Sequence, residues 1–131
     1  MPFEEDEMPA DKQPAIHMEK PNPEVAARLE AAMAGLPVYR RSMFGGVAWF
    51  VEENAQMFAG VWGDALNLRV GVEDVAALVG AGKAVPFAPM PERPMREYVL
   101  VAAASMKPAE YKRWVARALA FTSALPRKKG K

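Results

Sequence analysis

The chain has 131 residues, 51% of them apolar and 25% charged, with a formal net charge of +1 and no cysteine. That length suits one domain with a real core, and the missing cysteines exclude disulfides, thiolate metal sites and a cysteine nucleophile. No stretch reaches the roughly 20 apolar residues that span a bilayer, and the acidic start "MPFEEDEMPADKQP" lacks the apolar run of a secretory signal, so a cytoplasmic protein without membrane contact is expected.

Charge is unevenly spread. Residues 1–20 carry six acids against Lys12 and Lys20, whereas residues 107–131 carry eight bases against Glu110 alone. Such ends either solubilise the chain or touch each other, a neighbouring subunit or a polyanion. Residues 1–21, with four prolines, are predicted to form a flexible acidic arm. Residues 22–126 then make the domain and residues 127–131 a basic tail.

Taken in chain order, "NPEVAARLEAAMAGLP" predicts the first helix. Asn22 is its N-cap, Pro23 opens its first turn, and Glu24 favours the positive end of the dipole. Val25, Leu29, Ala32, Met33 and Leu36 share one face. "VYRRSM" supplies a short strand, and "GVAWFVE", "QMFAGVW" and "ALNLRV" follow as strands. Their spacers are short, so they should pair as antiparallel hairpins. "GVEDVAALVGAG" predicts a short helix with Val72, Val75, Ala76 and Val79 inward. "KAVPFAPMPERP" holds too much proline for regular structure, and "MREYVLVAA" is a further strand. The last helix, "KPAEYKRWVARALAFTSALP", has an apolar stripe of Tyr111, Trp114, Val115, Ala118, Leu119, Thr122 and Leu125. This order predicts an α+β two-layer fold, a mainly antiparallel sheet with helices packed on one face.

Two of the strands are apolar on both faces, which helices on a single side would leave partly wet. Such patches mark interfaces, and Trp49, Phe50, Phe58 and Trp62 are the candidate dimer or partner face. The competing reading is a sheet covered by helices on both sides.

Chemistry-bearing motifs are few. "GAGKA" (80–84) echoes a phosphate loop, but Ala77 and Ala84 stand where that pattern needs a glycine and a hydroxyl. His17, the single histidine, lies in the arm, where nothing holds it against a proton to be moved. Ser42, Ser105 and Ser123 have no histidine beside them in sequence. No catalytic residue, metal site or cofactor is therefore expected. Arg40, Arg41, Arg69 and Arg96 are candidates for an anion-binding patch if their strands are neighbours; otherwise they pair singly with acids such as Glu52 and Glu97. Arg127, Lys128, Lys129 and Lys131 are candidate nucleic-acid contacts that would act through charge alone.

One run remains, "RRSMFGGVAWF" (40–50). Met43, Phe44, Gly45 and Gly46 lead into a strand, whereas phosphate-cradling loops lead into helices, so a structural turn is expected, with Phe44 plugging the core. With "QMFAGV", "LNLRV", "RPMREYVLV" and "WVARALAF…SALP", this motif resembles the TfoX N-terminal domain family over residues 23–126. Ser42 stands where many members have a basic residue, and Ala48 where many have a third glycine. The resemblance implies a secretion-chaperone-like α+β fold, frequent dimers, a bacterial source and a role in transcriptional or competence regulation. It brings no catalytic residues. Competence regulators of this family carry a second, C-terminal domain; this sequence ends at Lys131, so a stand-alone N-terminal domain is expected. The leading expectation is a non-enzymatic regulatory or protein-interaction homodimer with a protein partner not yet known. The alternatives are a nucleic-acid-associated accessory protein and a small-anion-binding domain.

Overall fold

The computed structural model describes residues 20–43, 46–88 and 95–127. Helix α1 (Pro23–Ala32) begins at Asn22, whose side chain accepts from the Glu24 N–H at 2.8 Å. The Asn22 amide also donates to Asp64 Oδ1 at 2.7 Å, so one residue both caps the helix and ties it to a distant turn. Strands β1 (Val38–Met43), β2 (Gly46–Val51), β3 (Met57–Trp62) and β4 (Ala65–Arg69) follow as an antiparallel meander. Helix α2 (Val72–Gly80) comes next, then the two-residue strand β5 (Val85–Pro86), strand β6 (Tyr98–Ala102) and helix α3 (Pro108–Ser123).

All six strands join one sheet in the order β1-β2-β3-β4-β6-β5, every neighbouring pair antiparallel. Strands β4 and β5 therefore run the same way with β6 between them, and α2 is the crossover that parallel strands require. Val85–Pro86 corrects the expectation of an irregular proline-rich stretch. A proline cannot donate to a ladder, but β5 is an edge strand, where proline is tolerated.

The fold is α+β. Helix α3 lies across β2, β3 and β4 and packs on α1, while α2 covers β5 and β6. Val25, Leu29, Trp49, Phe58, Val61, Leu66, Leu68, Val99, Tyr111 and Val115 form the core between these layers. Tyr111 is fully buried, and its hydroxyl donates to the Ala103 carbonyl at 2.9 Å, so the polar tip is satisfied.

Two corrections concern which side chains face that core. In α2 the buried residue is Leu78; Val75 and Val79 are half-buried, and Val72 and Ala76 are exposed. After Glu73 and Asp74 the helix is apolar from Val75 to Val79, so periodicity alone does not choose its inner face. Its docking does: Gly71, at φ +93°, lies against Phe121, whose ring would meet an added Cβ at 2.6 Å. In β3 the alternation breaks. The β2–β3 register shifts between Trp49 and Phe50, leaving Phe58 as the extra residue of a bulge. Phe58 thereby joins Ala59 and Val61 on the helix-covered side, fully buried.

Candidate functional site

The three described helices leave the opposite face of the sheet without a helical layer. Small residues occupy its middle: Ala48, Gly60 and Asn67 stand side by side on β2, β3 and β4. Gly60 has a specific reason to lack a side chain, since an added Cβ would lie 2.7 Å from Asn67 Oδ1 and 3.2 Å from the Val47 carbonyl. Asn67 is buried, and its Oδ1 has no hydrogen-bond donor.

Aromatic side chains flank this middle. Tyr39 stacks on Phe50 at 5.4 Å between ring centroids, with the Arg41 guanidinium 5.8 Å from the Phe50 ring. On the other flank the Trp62 and Phe87 rings meet edge to face at 5.2 Å, and Phe87 leans on Tyr98 at 6.3 Å. The Tyr98 hydroxyl donates to the Met57 carbonyl at 3.0 Å. Burial pushes its pKa up to about 12, against the opposing pull of the Arg69 charge. Trp62 and Leu100 are half-buried, and Val85 is 55% exposed. Val85 and Leu100 are register partners, so they extend the apolar strip to the β5 edge.

The expected partner face is thus divided. Trp62, half-buried, and Phe50, itself only 5% exposed, lie on the face opposite the helices, whereas Trp49 and Phe58, at 2% and 0% exposure, belong to the core. The cause is alternation for Trp49 and the bulge for Phe58.

The four candidate arginines do not converge. Arg40 and Arg41 are consecutive on β1, so they point to opposite faces. Arg40 pairs with Glu30 and lies 5.8 Å from the Trp49 ring. Arg69 pairs with Glu97 at 2.7 Å and donates to Gln56 Oε1 at 3.0 Å. Two strands separate it from Arg41, about 14 Å at the usual strand spacing. Arg96 is exposed in the turn before β6. Arg40 and Arg69 are thus engaged in local ion pairs.

Of the candidate nucleic-acid contacts, Arg127 donates to the Glu53 carbonyl at 2.6 Å, which ties the start of the tail to the β2–β3 turn. Lys128, Lys129 and Lys131 lie outside the described residues. Met43 and Gly46 are register partners at the end of β1 and the start of β2. Phe44 and Gly45 themselves lie outside the described residues, as does His17.

Sequence reasoning missed Asn54. Read as part of a turn, it is 3% exposed, and its amide donates to the carbonyls of Thr122 at 2.8 Å and Leu125 at 3.0 Å. It caps the C-terminal end of α3 from 68 residues away.

With the fold and these faces in place, comparison with known families is decisive at one level. The family model of the TfoX N-terminal domain matches residues 30–122. The chain belongs to that family. The match runs from α1 to the last turn of α3, so the whole sheet of this TfoX N-terminal domain lies inside it. No curated protein and no solved structure matches the chain. Among the described residues of this TfoX N-terminal domain, no helix is long and apolar enough to cross a membrane, and no group of three or more His, Cys, Asp or Glu side chains is placed to hold a metal ion.

Proposed function

We propose that this TfoX N-terminal domain is a non-enzymatic regulatory module that works through protein contacts, pairing with a second copy across the open sheet face. One observation carries the reading: all three described helices pack on a single face, while Trp62, Leu100 and Val85 line an apolar strip on the other. Apolar strips bordered by charge are the usual substrate of association. Here the border is Arg41 on one flank and the Arg69–Glu97 pair on the other. The same proposal includes a cytoplasmic place and a link to transcriptional control, which are in keeping with membership of the family.

The test is the mass of the full chain by sedimentation at micromolar concentration. A species of about twice the 14.4 kDa chain is expected. Trp62→Glu should convert it to monomer, because a carboxylate buried at a contact is not tolerated without a partner. Trp62 is only half-buried within the chain, so the variant should still fold. A monomer at every concentration, or a dimer indifferent to Trp62→Glu, would sink the pairing.

A further inference from the structure

A second concave region lies apart from the sheet face, where β6 passes into α3 and α2 ends. It is a cleft of about 750 Å³, lined by Leu78 of α2, Lys83, the β6–α3 connection with Met106, and one side of α3 with Arg113, Trp114 and Arg117. That volume falls in the ordinary range for small-molecule sites, roughly 300–1,000 Å³.

The lining has two parts with different chemistry. Leu78 is buried and Met106 and Trp114 are half-buried, giving an apolar floor with one flat ring. The rim is cationic, with Lys83, Arg113 and Arg117. The one acid in the lining, Glu110, is already engaged: its carboxylate accepts from the Lys107 N–H at 2.9 Å, closing the first turn of α3. Arg117 lies 5.8 Å from the Trp114 ring and 3.8 Å from Asp74. Lys83 and Arg113 have no acidic partner within 4.0 Å among the described residues. Their backbones are nonetheless fixed, Lys83 by its N–H bond to the Leu78 carbonyl at 2.9 Å and Arg113 by its place in α3. Two cations without an acidic partner among the described residues thus stand over an apolar floor, on backbones that are fixed.

We propose that this cleft binds a small organic anion, a carboxylate or phosphate carried on a flat apolar body. The body lies on Trp114, Met106 and Leu78, and the anionic group is held by Lys83 and Arg113. The ligand needs both parts. An inorganic anion would leave the floor wet, and a neutral ring would leave the cations unanswered. This site is separate from the arginines of the strands and does not depend on self-association.

The experiment is a titration of the full chain followed by its indole N–H resonances, with four probes: phenyl phosphate, benzoate, phenol and inorganic phosphate. The chain has three tryptophans, and Trp114→Phe assigns the relevant signal. Phenyl phosphate or benzoate should shift the Trp114 signal saturably, at least about tenfold more tightly than phenol or inorganic phosphate. The tighter of the two names the anionic group. Replacing both exposed cations, Lys83→Gln with Arg113→Gln, should weaken that binding by about tenfold or more while leaving the Trp49 and Trp62 signals in place. No saturable shift at Trp114 up to 10 mM probe, phenol binding as well as the anions, or binding unchanged in the double variant would each overturn the proposal.

Discussion

Tyr98 concentrates several forces in one side chain. Its ring is buried against Phe87, its hydroxyl is bonded to the Met57 carbonyl, and Arg69 lies 5.8 Å from the ring. Desolvation outweighs the nearby guanidinium, so the phenol titrates near 12 in the folded chain against 10.0 ordinarily. Because the folded pKa is the higher one, the stabilisation is complete below pH 10 and is lost as the pH rises from 10 towards 12. Melting temperature should therefore fall across that window, and Tyr98→Phe should flatten the fall while costing about 1 kcal/mol at neutral pH for the lost hydrogen bond. Asn67 makes the opposite case. A buried oxygen without a donor costs about 1–3 kcal/mol, so Asn67→Leu, of nearly the same shape, should leave the melting temperature unchanged or raise it. A clear drop would mean that the amide oxygen is paired in solution.

Among the elements, α3 depends most on distant chain. Its start is closed locally by Glu110 and the Lys107 N–H, a pattern visible in "KPAE". Its end is closed by Asn54 on the β2–β3 turn, with Gln56 and Arg127 adding bonds to Pro126 and Glu53 carbonyls. Asn54→Ala leaves the Leu125 carbonyl without its donor, while the Thr122 carbonyl keeps the Leu125 N–H, so chemical denaturation should show a loss of about 1–3 kcal/mol, with hydrogen exchange rising first in the last turn of α3. The loss should be far smaller for Glu53→Ala, which touches Arg127 only through its backbone. The strands divide in the same way. Strand β4 alternates as its sequence says, with Leu66 and Leu68 in the core and Asn67 on the other face. Strand β3 does not, because the bulge opposite Trp49 and Phe50 is a mismatch between two strands, and neither sequence segment alone contains it.

At the scale of the whole molecule, the one-sided helical layer has a thermodynamic consequence. If two copies cover the open face, dissociation is coupled to unfolding, and the melting temperature must rise with protein concentration. Calorimetry over a hundredfold concentration range should show that rise for the wild-type chain and none for Trp62→Glu. The separation of the open face from the cleft between α2 and α3 makes the second testable without the first. A ligand there would raise the melting temperature of either form.

Local pattern alone determined the number and kind of most elements, the antiparallel meander from β1 to β4, the N-cap of α1 and the stripe of α3. These follow from nearest-neighbour physics: side-chain periodicity, short spacers, and prolines and glycines that punctuate the backbone. Only the tertiary structure decided the rest. It paired Val85–Pro86 with β6, turned Leu78 inward, moved Phe58 to the core, and gathered Lys83, Arg113 and Trp114 around one cleft. Each of these depends on which residues distant in sequence come to share a surface, and that is fixed by packing between elements rather than by the order of residues within any one of them.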